Sequence, residues 1–288
     1  MNTPNISEQS INYMNAYEKS LTLWPVPYKS YFVKTNFGDT HIIESGDEAM
    51  PPLVLLHGAS MSSTMWYPNI VDWSKNFRVI CIDLMGDKNK SNSIVDISER
   101  ASYAIWLEEV FNKLNIEKAD IVGLSYGALN TVNFLMYFPE RVKKVVLMSP
   151  AATFIPFDPI FFNYAFGMVN NREGVEKFFQ WIFGNRYTVH SLILEQMVSA
   201  MMWTDTNKKA TPKENGFPYV FTDNELQKLK TPILLLLGEE EVMYNPMEAY
   251  TRVKTSTNIT VEMVEGAGHL MNMETPEYVN KRVKEFLV

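Results

Sequence analysis

Short apolar runs recur along this chain and alternate with amphipathic stretches. The runs are PLVLLHG (52–58), FRVICIDL (77–84), ADIVGLS (119–125), KKVVLMS (143–149), PILLLLG (232–238) and ITVEMVEG (259–266). Unalternating apolar strands lie in sheets covered on both faces, which is the habit of parallel sheets. The stretches between them read as helices: MWYPNIVDWSKN, RASYAIWLEEVFNKLNI, ALNTVNFLMYF, MEAYTRVKT and the terminal PEYVNKRVKEFLV. In RASYAIWLEEVFNKLNI the apolar positions fall at i, i+3, i+4 and i+7, the period of a helix with one buried face. Pro139 stops the helix before it. Two strands of antiparallel character, SYFVKT and THIIESG, precede the first run, and an amphipathic lead-in helix over residues 1–28 ends at WPVP. The pattern predicts an α/β fold. Its sheet has about eight strands, mostly parallel, with helices on both faces.

The alternation breaks once, after the sixth predicted strand. Residues 151–229 hold no strand pattern and are rich in Phe, Trp and Met. Loops of that length without structure are rare in compact domains, so the segment is predicted to fold as a helical lid over one end of the sheet. The core then comprises residues 1–150 and 230–288. Most of the lid's large side chains serve to pack it onto the core. A lid this apolar also leaves some of them facing a pocket, and Phe166, Trp181, Met202 and Trp203 are assigned to it.

Composition narrows the partners. With 26 Lys and Arg against 33 Asp and Glu, the formal net charge is −7, which disfavours phosphate backbones and anionic lipid surfaces. The single cysteine, Cys81, lies in a strand and reads as a buried thiol. The four histidines are scattered, with no Cys/His spacing of a metal site, so neither metal nor cofactor is implied. The N-terminus has no basic start followed by an apolar stretch, and no run approaches a membrane span. A soluble, cytoplasmic protein acting on a small molecule, with no nucleic-acid partner and no stable membrane association, is the expectation. The oligomeric state is left open.

Candidate chemistry sits at the strand ends. Gly123-Leu-Ser125-Tyr-Gly127 is a G-x-S-x-G between a predicted strand and a predicted helix. A serine on so sharp a turn exposes its hydroxyl, and the flanking glycines let strand and helix approach closely. A serine nucleophile needs a base. His269, in EGAGHLMNMETPEYV after the last strand, follows the chain order serine, acid, histidine expected of such an elbow. His41 lies too early in the chain, and His190 lies in the lid. The oxyanion of an acyl-transfer transition state needs donors in place. The backbone N–H of Tyr126 supplies one, and that of Ala59, in the loop His57-Gly58-Ala59-Ser60, supplies the other. His57 reads as a hydrogen-bonding tie within that loop. The acid belongs at the end of PILLLLG, where Glu239, Glu240 and Glu241 follow Gly238. Adjacent side chains in an extended segment point opposite ways, so Glu240 and Glu241 do not both face the histidine.

The HG loop, the serine elbow, the strand-end acid and the GAGH before a terminal helix together resemble the α/β-hydrolase family of serine esterases. The resemblance covers essentially Tyr31 to Val288 and implies that the acid is the third residue after the strand-ending glycine, Glu241. The stretches SLTLWPVP, FGDTHII, SSTMWYPNI, GDKNKS, ENGFPYVFTDNEL and PEYVNKRV resemble a branch acting on bulky carboxylic esters, arylpropionates among them. The implied activity is carboxylic ester hydrolysis through an acyl-enzyme on a Ser-His-Glu triad. Carbon–carbon bond hydrolysis, lactone hydrolysis and acyl transfer share the same triad, and a sensor that binds without turnover shares the fold. One departure stands out. Many family members carry D-x-x-G-x-G-x-S after the fourth strand, whereas Asp83-Leu-Met-Gly86-Asp-Lys-Asn-Lys-Ser91 lacks the second glycine and adds two lysines. It reads as a surface loop variant, with a place on the pocket rim as the alternative.

Overall fold

The computed structural model describes residues 7–167, 169, 171–203 and 218–288, with backbone alone at 166 and 167. Helix α1 (Glu8–Leu21) leads into β1 (Tyr28–Thr35) and β2 (Gly38–Ser45). There follow β3 (Pro52–Leu56), α2 (Ile70–Trp73), β4 (Arg78–Ile82), β5 (Asn92–Ser93), α3 (Arg100–Lys113), β6 (Ala119–Leu124), α4 (Tyr126–Tyr137) and β7 (Val142–Met148). Helix α5 (Pro159–Phe162) runs into a π-helical turn over Asn163–Gly167, and α6 (Arg172–Phe183), α7 (Ser191–Met202) and α8 (Asp223–Leu226) follow. The chain closes with β8 (Ile233–Gly238), α9 (Pro246–Val253), β9 (Ile259–Val264), α10 (Met271–Glu274) and α11 (Pro276–Leu287).

The strands form one sheet in the order β1-β2-β4-β3-β6-β7-β8-β9, with β5 paired to β2. Strand β2 is antiparallel to β1, β4 and β5, and every neighbouring pair from β4 to β9 is parallel. Among the described residues nine strands stand where the apolar pattern predicts about eight. The extra one, β5, is two polar residues long and offers no apolar run to detect. The strandless segment therefore follows β7, the sixth of the longer strands.

The continuous apolar strands are buried as their pattern requires. Ile233–Leu237 of β8 and Leu53–Leu56 of β3 are fully inaccessible. Each such side chain stabilises the fold by roughly 1.5–3 kcal/mol relative to exposure. Helix α4 is buried from Gly127 to Leu135, so it is covered on nearly every side. Burial pushes the Cys81 thiol well up and away from the thiolate form, as suits an inert core residue. MWYPNIVDWSKN does not form the one helix predicted for it. A 3₁₀ turn over Ser63–Trp66 and the four-residue α2 flank Pro68. Proline has no N–H to donate and disfavours helical geometry in the residue before it.

Candidate active site

Strand β6 delivers the chain to Ser125, whose φ of 53° and ψ of −115° begin the turn into α4. A non-glycine residue held in such a region costs about 1–3 kcal/mol. Three backbone hydrogen bonds offset that strain. The Ser125 N–H donates to the Met148 carbonyl at 2.9 Å, and the Ser125 carbonyl accepts from Leu129 at 3.0 Å and Ala151 at 3.1 Å. The flanking glycines are required by space. A Cβ on Gly127 would stand 2.0 Å from the Leu56 carbonyl oxygen, and one on Gly123 2.6 Å from the Thr131 hydroxyl. The motif brings β3, β6 and α4 too close for any side chain there.

His269 follows β9, and Glu241 follows β8. The two loops are stitched by the Glu240 N–H, which donates to the Ala267 carbonyl at 3.0 Å. Glu239 and Glu240 face solvent. Glu241 is buried, and its Oε2 lies 2.7 Å from His269 Nδ1. Its longer arm, compared with aspartate, folds back so that Oε1 accepts the N–H groups of Val242 and Met243, both at 2.9 Å. A carboxylate so placed keeps the imidazole proton on Nδ1 and leaves a lone pair on Nε2. Among the described residues His269 Nε2 is buried with no hydrogen-bond partner. His269 and Ser125 line the same cavity, but the Ser125 hydroxyl does not hydrogen-bond to that nitrogen. Such bonds often tighten only when substrate arrives.

An ion pair braces the histidine loop. Arg186, beyond α6, donates from Nε to Glu274 Oε2 at 2.9 Å and from Nη2 to the Ile182 carbonyl at 2.6 Å. Glu274 Oε1 accepts the Leu270 N–H at 3.2 Å, next to His269. Burial raises the Glu274 carboxyl, and Arg186 opposes that rise.

The loop after β3 supplies the facing wall. Gly58, Ala59 and Ser60 line the cavity beside Ser125 and Tyr126. Ser60 has a left-handed φ of 57°, and its N–H donates to Asp87 Oδ2 at 2.8 Å. His57 is a fully buried tie. Its Nε2 accepts the Leu84 N–H at 2.9 Å, which leaves Nδ1 to donate to the Gly58 carbonyl at 2.8 Å. The departure at Asp83–Ser91 thus reaches the site: Asp87 holds the Ser60 loop, and Lys88 lines the cavity.

Among the described residues the cavity measures about 500 Å³ and is mostly apolar. Lid side chains on it include Phe157, Phe161, Phe178, Phe179, Ile182 and Met201. Three of the sequence-assigned pocket residues fall elsewhere. Trp181 stacks on Tyr164 with centroids 4.3 Å apart and planes 2° from parallel. Trp203 packs on Tyr13 at 5.4 Å. Met202 is half-buried against the core and does not line the cavity. Helical phase is the reason: Phe178 and Ile182 are four apart on α6 and Met197 and Met201 four apart on α7, whereas Trp181 and Met202 each sit roughly 100° round from that face. The fourth, Phe166, lies in the π-helical turn, and its side chain is outside the described residues. The i, i+4 spacing of apolar residues was the signal that points to the true lining. Large size was the wrong one. Among the described residues no group of three or more His, Cys, Asp or Glu could hold a metal ion, and no helix is long and apolar enough to cross a membrane.

Known proteins are similar to this chain in sequence and fold. The chain is 48% identical to the Bacillus subtilis protein named uncharacterized carboxylesterase nap over 98% of its own length and 94% of that protein's. It is 45% identical to carboxylesterase YbfK of the same organism, over 97% of this chain and 95% of that one. The crystal structure of naproxen esterase (carboxylesterase NP) from Bacillus subtilis superposes with a TM-score of 0.96 at 48% identity, covering 99% of this chain and all of that one. The family model for the alpha/beta hydrolase fold matches residues 51–276, and the chain belongs to that family.

Proposed function

We propose that this protein is a serine carboxylesterase in which Ser125 is the nucleophile, His269 the general base and acid, and Glu241 the residue that orients the histidine. The observation that carries the reading is that Ser125, on a strained elbow, and His269, held by the buried Glu241 carboxylate, line one apolar cavity. The carboxylesterase relatives at 45–48% identity over nearly the whole chain support it.

Ser125 Oγ attacks the ester carbonyl carbon as Nε2 takes its proton. Glu241 stabilises the imidazolium through Nδ1–H without itself becoming protonated. The backbone N–H groups of Ala59 and Tyr126 receive the developing oxyanion. Tyr126 opens α4, where the helix dipole favours negative charge. The imidazolium then protonates the leaving alcohol, and water activated by the same nitrogen cleaves the acyl-enzyme. Residues 151–229 act as the lid, and the aromatic lining of a cavity near 500 Å³ suits bulky acyl groups such as arylpropionates.

Steady-state hydrolysis of 4-nitrophenyl butyrate tests the reading. Many turnovers per protein are expected, with loss of turnover in Ser125→Ala. No more than one product per protein, despite stoichiometric labelling of Ser125 by a fluorophosphonate, would establish a binding protein instead. Hydrolysis of a racemic arylpropionate ester beside short acetates tests the substrate class.

A further inference from the structure

A second line of serine, histidine and carboxylate runs through the antiparallel end of the sheet. His41 on β2 lies opposite Phe32 of β1, so Ser30, two residues away on the same strand face, is its diagonal neighbour. The Ser30 hydroxyl is 2.8 Å from His41 Nε2, and His41 Nδ1 is 3.0 Å from Asp83 Oδ2. His41 and Asp83 are fully buried, whereas Ser30 faces solvent. None of the three lines the cavity at Ser125.

The partners fix the proton positions. Asp83 Oδ1 accepts the Ser63 N–H at 2.8 Å, and Oδ2 also accepts the Lys90 N–H at 3.3 Å. Burial acts to raise the Asp83 carboxyl, but the hydrogen bond and charge interaction with His41, the charge interaction with His57 and the Ser63 N–H together outweigh burial and hold it below the usual carboxylate range. The carboxylate draws a ring proton to Nδ1, and Nε2 faces the Ser30 hydroxyl as its acceptor. The Tyr17 hydroxyl lies 3.3 Å from the same Nδ1 and keeps its own proton, because burial and Asp83 both raise it. A serine whose hydroxyl already points at an imidazole lone pair has its base in place.

We propose that Ser30 is a second acyl-accepting serine, modified by activated acyl donors such as aryl esters. Ser30 Oγ forms the bond to the carbonyl carbon, its proton passes to His41 Nε2, and the carbon–oxygen bond to the aryl group breaks. The phenolate leaves and takes up that proton. Ser30 is exposed and lies outside the cavity at Ser125, so the acyl group is held by its covalent bond alone and the product is a stoichiometric adduct.

The test uses the full-length Ser125→Ala protein with 4-nitrophenyl acetate, followed by intact mass and tryptic mapping. Trypsin cuts after Lys29 and Lys34, so the adduct is expected on the peptide Ser30–Lys34, with fragmentation placing it on Ser30 rather than Tyr31. The folded protein should acylate there roughly 10²-fold faster than the urea-unfolded chain, the scale of a positioned base. Ser30→Ala should abolish the adduct. His41→Gln, verified as folded by circular dichroism, should bring the rate down to that of the unfolded chain. No adduct on Ser30, or equal rates in folded and unfolded chains, overturns the proposal. So does an undiminished rate in folded His41→Gln.

Discussion

Glu241→Gln is the sharpest perturbation of the candidate site, because it changes charge and one donor while keeping volume. In the wild type, Oε1 accepts the N–H groups of Val242 and Met243, and Oε2 accepts from His269 Nδ1 at 2.7 Å. A carboxamide satisfies both backbone donors only with its oxygen in the Oε1 place. Its NH₂ then faces Nδ1. Two donors cannot share that position, so the ring shifts its proton to Nε2 and can no longer take one from Ser125. The loss expected in kcat is about 10⁴-fold, the cost of the same change at a triad aspartate in serine proteases. That corresponds to about 5.5 kcal/mol of transition-state stabilisation. Glu240→Gln changes a solvent-facing side chain one residue away and should alter kcat less than about twofold, as surface changes usually do. Both variants are assayed by 4-nitrophenyl butyrate turnover, with thermal unfolding to verify the fold. A Glu241→Gln enzyme within about tenfold of wild type refutes the tautomer argument. A crippled Glu240→Gln enzyme would move the acid to its neighbour.

Three further perturbations test the surroundings. Asp87→Asn keeps one acceptor for the Ser60 N–H but weakens the hold on the Ala59–Ser60 loop. A loss of ~1 kcal/mol there should lower kcat several-fold with little change in KM, and unchanged kcat would separate Asp87 from the reaction. Phe178→Ala removes a cavity wall and should shift the kcat/KM preference between naphthyl and short acyl esters by about tenfold, while Trp181→Ala, off the cavity, should lower Tm and leave that preference in place. Arg186→Met strips the cation from buried Glu274. Losing one partner of a buried pair costs about 3–5 kcal/mol, and here about 2–3 because the Arg186 side chain is 22% exposed. The Glu274 carboxyl is already raised by burial, and without Arg186 it rises further. A raised acid binds its proton more tightly when folded, so its stabilising contribution is present below the ordinary carboxyl range and is lost as pH rises through the folded value. The Tm deficit of the variant should therefore be larger at pH 8 than at pH 5, and an equal deficit at both would refute that account.

Much of this was legible in the chain. Apolar runs of strand length separated by helical periods dictate a parallel sheet, because only a strand covered on both faces tolerates continuous Leu, Ile and Val. Gly123 and Gly127 flank a serine because a Cβ at either would collide with neighbouring atoms of the turn, and that constraint is local enough to read from five residues. The short β5 was not legible, since Asn92 and Ser93 pair with β2 through backbone alone. The break at Pro68 was legible in principle and was outweighed by the apolar residues around it. The lid's lining was legible only through helical phase, and side-chain size misled. The sequence by itself determined the order of elements and the turn that holds the nucleophile, because periodicity and glycine sterics act between near neighbours. Only the tertiary structure decided which glutamate meets His269, what Asp87 holds, and that Ser30 lies against His41. Each of those contacts joins separate strands or loops and depends on how their ends are brought together in space.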